Sequence, residues 1–77
     1  MYKYVVVKNE YINEDKTRIG YGIAVVEEYD GNVSVLDSVS DICLDVNSVE
    51  ELAELCNRSK LDPIHFHEVI SDFLGNV

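Results

Sequence analysis

The chain has 77 residues and a mass of 8.7 kDa, and it sets six Lys and Arg against fifteen Asp and Glu for a net charge of −9. A chain of this size forms one small domain that buries roughly 60% of its unfolded surface, which supports one modest core and leaves no room for a deep catalytic cleft. With a sequence pI near 4.3 it repels phosphate, which argues against direct binding to nucleic acid and against attraction to an anionic membrane surface.

Residues 2–8, Tyr-Lys-Tyr-Val-Val-Val-Lys, are rich in β-branched and aromatic side chains, and the polar stretch Asn13-Glu14-Asp15-Lys16 follows them, so they predict a first strand. A longer strand is predicted over residues 18–29. Its odd positions Ile19, Tyr21, Ile23 and Val25 are bulky and its even positions Gly20, Gly22 and Ala24 are small, which predicts one face on the core and a nearly bare opposite face. The Gly-x-Gly inside this pattern reads as a bulge or a close backbone approach rather than a phosphate-binding loop. Asp30-Gly31 between two β patterns predicts a hairpin. Beyond it the apolar phase changes, with Val33, Val35 and Val39 on one phase and Leu36, Ile42, Leu44 and Val46 on the other. A bulge or bend between Val35 and Ile42 reconciles them, within one strand or by splitting the region into two.

After Val46 the period becomes helical. Ser48 followed by Glu51 predicts a capping box at the start of a helix near residues 48–58. Val49, Leu52, Ala53 and Cys56 recur at helical spacing as its core face, with Glu50, Glu51, Glu54 and Asn57 opposite. Residues 57–60 read as its stop. A second helix is predicted near residues 62–74, with Asp62 as N-cap, Pro63 in the first helical position and Leu61 with Phe66 as a hydrophobic staple. Its stripe is Phe66, Val69, Ile70, Phe73 and Leu74, and Gly75 is expected to end it in a left-handed conformation. Strands first and helices last make an α+β domain over residues 1–77: an antiparallel β-meander of three to four strands in residues 1–46, followed by two C-terminal helices packed on one sheet face.

The chemistry-bearing residues point away from catalysis, and no enzymatic activity or cofactor is expected. Cys43 and Cys56 form no C-x-x-C pair and read as small buried hydrophobes. His65 and His67 lie two apart on a helix and point about 200° from each other, so they cannot share an ion. His67 flanks the core stripe and reads as a partly buried, hydrogen-bonded histidine. His65 faces Glu68 and Asp72, a weak candidate metal or small-ligand site that a solvated polar face would equally well require. Glu27-Glu28 and Glu50-Glu51 are adjacent pairs whose side chains diverge, which is poor geometry for shared acid–base work. Residues 1–10 contain only a three-residue apolar run, so a cytoplasmic location is expected.

Two features remain for recognition. All five tyrosines lie in the β half, and residues 21–57 hold nine acids and no base. Candidate surface residues are therefore Tyr2, Tyr4, Tyr21 and Tyr29 with Glu27, Glu28 and Asp37, and open sheet edges favour a homodimer through an edge or a face. The motifs Tyr21-Gly22-Ile23, Val39-Ser40-Asp41-Ile42, Leu55-Cys56-Asn57, Leu61-Asp62-Pro63-Ile64-His65 and Ser71-Asp72-Phe73-Leu74 resemble a family of short clostridial and related Firmicutes proteins, domain of unknown function 6514. The resemblance implies a small bacterial cytoplasmic protein and no catalytic residues. The leading expectation is a non-catalytic protein–protein interaction or regulatory module. An acidic mimic of nucleic acid that occupies a basic partner protein is the first alternative, and ligand or metal binding near His65 is the second.

Overall fold

Two tight turns organise the sheet. Glu14 and Asp15 both take positive φ (51° and 63°), as do Asp30 and Gly31 (52° and 83°), and two successive left-handed residues make the hairpin turn whose twist matches that of the flanking strands. In the computed structural model, which describes residues 2–75, these turns join β1 (Tyr2–Asn13), β2 (Lys16–Tyr29) and β3 (Asn32–Cys43) into one antiparallel sheet of order β1-β2-β3. The helix α1 (Val46–Arg58), a 3-10 turn (Pro63–His65) and α2 (Phe66–Gly75) follow. The α+β meander with two C-terminal helices on one sheet face is thus the architecture observed. Residues 1, 76 and 77 of the expected domain lie outside the described residues.

The first two strands are longer than their β patterns predict. β1 continues past Lys8 through Asn9 and Glu10 to Asn13 because it pairs residue by residue with β2, from Tyr2 opposite Glu27 to Asn13 opposite Lys16. Main-chain pairing carries most of this arm, since the side chains of residues 10–13 are exposed.

β3 stays one strand and absorbs its phase change in two irregularities. Val35 lies opposite Val26 and Asp37 opposite Val25, so Leu36 is an extra residue, and the core phase changes faces there. Further along, the two steps from Tyr21 to Ile23 on β2 correspond to four from Cys43 to Val39 on β3, and Asp41 takes φ 55° within that bulge. This places Val39, Ile42 and Cys43 against the core while Val33 and Val35 remain on the opposite face.

The second bulge also corrects the expectation of a bare face opposite the bulky residues of β2. Gly20, Gly22 and Ala24 are buried. A Cβ on Gly22 would lie 2.1 Å from the Val39 carbonyl oxygen, and one on Gly20 2.1 Å from Asp41 Oδ1. The bulged segment of β3 therefore lies directly over the glycines, whose missing side chains permit the close approach.

The core lies on the other face, where Tyr4, Ile23, Val25 and Ile42 meet Val49, Leu52, Ala53 and Cys56 of α1 and Phe66 and Ile70 of α2. Tyr4 and Phe66 pack with ring centroids 5.7 Å apart. Helix α1 starts earlier than the Ser48 capping box predicts. Asp45 is the N-cap, accepting from the Asn47 amide at 3.1 Å, and its other oxygen accepts from the Ser48 hydroxyl at 2.8 Å. An Asp cap is as effective as a Ser cap, and with it in place Glu50 and Glu51 lie beyond the first turn. The Asp62 cap holds as expected, accepting from the Ile64 amide, but its first turn is 3-10 and α2 begins at Phe66. Gly75 is still helical and does not take positive φ.

Candidate interaction surface

The two edges of the sheet are built differently. At the end of α1, Lys60 takes φ 53° and the Leu61 amide donates to the Cys56 carbonyl at 3.0 Å, a Schellman-type stop with lysine where glycine is usual. This stop holds the last turn of α1 against β1. Asn57, expected to face solvent, turns its amide onto the strand: Oδ1 accepts from the Tyr4 amide at 2.7 Å and Nδ2 donates to the Tyr4 carbonyl at 2.8 Å. The Tyr4 hydroxyl donates to the Leu61 carbonyl at 2.7 Å, tying strand and helix end together. Asn57 thereby acts as one residue of a missing fourth strand.

By the two-residue repeat of a strand, the other outward-directed positions of β1 are Val6, Lys8, Glu10 and Ile12. Lys8 and Glu10 form an ion pair of 3.2 Å there, so an incoming strand would have to disturb charged side chains. The β1 edge is plugged at one end and charged along its middle.

The β3 edge carries no such protection from residue 32 to residue 36. In a two-residue hairpin the closing pair, Tyr29 with Asn32, exchanges both main-chain hydrogen bonds, so Ser34 turns its main chain toward β2 while Val33 and Val35 direct theirs outward. The side chains of Val33 and Val35 are 63% and 67% exposed, and that of Leu36 is exposed as well. Residues 31–36, Gly-Asn-Val-Ser-Val-Leu, contain no charge. Beyond them the Ser38 amide donates to Asp37 Oδ1 at 2.8 Å and the bulge at Leu36 ends regular pairing. The result is a short, uncharged β-branched edge with outward main-chain groups, which is the template for strand addition.

The residues singled out from sequence do not converge there. Tyr4 is buried in the core, Tyr21 packs partly against it, and Tyr2, on the β1 edge, and Tyr29, at the end of the central strand β2, are both exposed at the same end of the helix-bearing face. Glu27 and Asp37 alternate onto the helix-bearing face and Glu28 onto the other, while Asp30 sits in a turn, Asp41 in the bulge and Asp45 in the α1 cap. These six carboxylates of the β half do not share one face. His67 is exposed rather than partly buried, and its Nε2 lies 2.5 Å from Asp37 Oδ2, bridging α2 to β3. His65 Nδ1 lies 3.4 Å from Glu68 on the exposed side of the helix. Among the described residues, His65, Glu68 and Asp72 do not come together as a group of three that could hold a metal ion.

Two cavities flank the sheet. One of about 350 Å³ is lined by Tyr2, Tyr4, Cys56, Asn57, Lys60 and Leu61, where the polar groups of Tyr4 and Asn57 are already engaged with each other's segments. Burial raises the Cys56 thiol above its ordinary value, which disfavours the thiolate. The other, of about 280 Å³, lies against the bulge, where the Tyr11 hydroxyl is hydrogen-bonded to the Asp41 carboxylate, which raises the phenol above its ordinary value.

Sheet, helices and open edge together define a small α+β domain whose most distinctive surface is a strand edge rather than a pocket. The chain belongs to the family of unknown function DUF6514, whose model matches residues 1–76. No curated protein and no solved structure matches it. Among the described residues, no helix is long and apolar enough to cross a membrane.

Proposed function

We propose that this protein is a non-catalytic interaction module that accepts an added β-strand at residues 32–36 of β3. The observation that carries the reading is the contrast at the sheet's two margins: Asn57 and the Lys8–Glu10 pair close β1, whereas β3 presents outward main-chain groups flanked by exposed Val33 and Val35. Main-chain hydrogen bonds supply affinity in such a mode, and side chains at alternate positions supply selectivity. In the bacterial cytoplasm that the family resemblance implies, the acidic body keeps the molecule soluble and the uncharged edge limits where a partner can approach. The nucleic-acid mimic is the weaker reading, since the carboxylates of the β half are distributed over both faces and the turns.

A photo-crosslinking amino acid placed at Val35 and, separately, at Ile12 tests this directly. Both positions are exposed, at 67% and 83%, so accessibility does not distinguish them. The expected result is adducts in growing cells at position 35, mapped to an extended segment of the captured chain, and none at position 12. Equal labelling at both positions, or none at position 35, overturns the reading.

A further inference from the structure

Resting on that reading, we infer that the strand received at the β3 edge is the same segment of a second copy, paired antiparallel about a two-fold axis at Ser34 to give one continuous six-stranded sheet. Charge is the first reason. Two chains of net charge −9 repel wherever their carboxylates face each other, and residues 31–36 form an edge on which neither copy presents a charge. Geometry is the second. Val33 and Val35 direct their main chains outward and Ser34 does not, so antiparallel self-pairing must place outward residues opposite outward residues.

Three registers satisfy that rule. Centring on Val33 sets the left-handed Gly31 against the partner strand, and centring on Val35 sets Asp37, beyond the bulge, against it. Only centring on Ser34 confines the hydrogen-bonded pairs to Val33 and Val35, between the left-handed turn and the bulge at Leu36. In that register Val33 of each copy faces Val35 of the other, making about four main-chain hydrogen bonds, with the two Ser34 residues facing across the axis as a non-hydrogen-bonded pair. The four valines lie side by side on the face away from the helices, where β-branched cross-strand pairs are favourable.

The same register brings Asp30 of one copy near Asp37 of the other at both ends of the ladder. Association is therefore opposed by charge and strengthened by salt, whereas binding of this acidic chain to a basic partner would weaken with salt. So short a ladder buries less than the roughly 800 Å² per partner of a standard interface, so the dissociation constant is on the order of 100 µM.

The test uses purified full-length chain. Sedimentation equilibrium between about 10 µM and about 1 mM is expected to show a monomer–dimer equilibrium that tightens as salt is raised. In a Cys43→Ser background, Ser34→Cys is expected to form a covalent dimer under mild oxidation, because opposed residues of a non-hydrogen-bonded pair lie within disulfide reach. Val33→Cys, whose two copies are diagonal neighbours roughly 7–8 Å apart, is expected not to. Both sites are exposed, so folding is preserved. A monomer at every concentration with no Ser34→Cys dimer overturns the self-pairing, as does equal cross-linking of the two variants. If the purified chain stays monomeric while position 35 captures a different polypeptide in cells, the self-pairing fails and the strand-accepting function stands; with no capture at position 35 either, both fail.

Discussion

β1 and β3 are both edge strands of the same three-stranded sheet, and they meet the same physical problem in opposite ways. An edge strand exposes main-chain donors and acceptors that will pair with any extended chain unless something prevents it. β1 is closed by a side chain that imitates a strand, the Asn57 amide on both main-chain groups of Tyr4, and by the Lys8–Glu10 pair further along. β3 is left open over five residues and then broken by its own bulge. The difference teaches that protection here is local: the chain invests in blocking the edge that its helices happen to reach, and it limits the length of the other without covering it.

The largest effect on this arrangement is expected from Gly22→Ala. The new Cβ would sit 2.1 Å from the Val39 carbonyl oxygen and 2.9 Å from the Ser40 Cα, both main-chain atoms that no side-chain rotation can clear. β3 must move off β2, and the loss of stability is expected to be about 3 kcal/mol, read from urea denaturation. Retention of wild-type stability would show that the bulge does not depend on the glycine.

Asn57→Ala comes next and breaks the β1 side of the comparison. It strands a part-buried amide and a part-buried carbonyl of Tyr4, at a cost of about 2 kcal/mol, and it unblocks that edge, so aggregation on concentration is expected to rise with the loss of stability. Asn57→Asp keeps an acceptor for the Tyr4 amide but places a carboxylate against the Tyr4 carbonyl, so it is expected to rescue only part of the loss.

Tyr4→Phe probes the same junction with a smaller effect. It removes the hydrogen bond to the Leu61 carbonyl, worth about 1 kcal/mol, and preserves the ring packing on Phe66. Burial, with Cys56 and Asp62 adding to it, raises the Tyr4 phenol above its ordinary 10.0 in the folded chain, and burial likewise raises the Cys56 thiol above 9.0. The folded state therefore favours the protonated forms. Their contribution to stability is complete below pH 9 to 10 and is lost as pH rises through the higher folded-state values. Denaturation midpoints are expected to fall above that range in the wild type and to fall less steeply in Tyr4→Phe.

Much of the architecture was legible because it rests on local rules. The Asp30-Gly31 turn, the Asp62-Pro63 helix start, the stripe from Val49 to Cys56 and the need for a bulge before Ile42 each follow from periodicity or turn chemistry. The earlier α1 start reflects two competent caps three residues apart, Asp45 and Ser48, between which local sequence does not decide. The role of Asn57 was not legible, since its helical phase is polar and its partner lies 53 residues away. The bulky and small alternation of β2 correctly placed Ile23 and Val25 in the core, but it could not show that β3 folds over Gly20 and Gly22. The open edge does leave a signal, an uncharged six-residue run after a hairpin turn in an otherwise acid-rich block, which the positions of tyrosines and carboxylates do not report.

The smallest expected change in stability, and the sharpest test of the comparison, comes from exchanging the protection between edges. Val35→Lys puts a gatekeeper on β3, and because Val35 is exposed and outside the core the stability should change by no more than about 0.5 kcal/mol. Lys8→Val removes one from β1, where the side chain is also exposed and its ion pair with Glu10 is worth little. If charge along the edge is what separates the two strands, the first substitution is expected to abolish concentration-dependent association in sedimentation and the second to introduce it at the β1 side, while the double variant associates through β1 alone. Amide exchange assigns the edge in each case. Val33 and Val35 gain protection with concentration in the wild type, whereas Val6 and Lys8→Val gain it in the double variant. Protection at Val33 and Val35 that survives Val35→Lys would mean that the valine side chains and the absence of charge do not govern the edge, and that the main-chain groups alone select it.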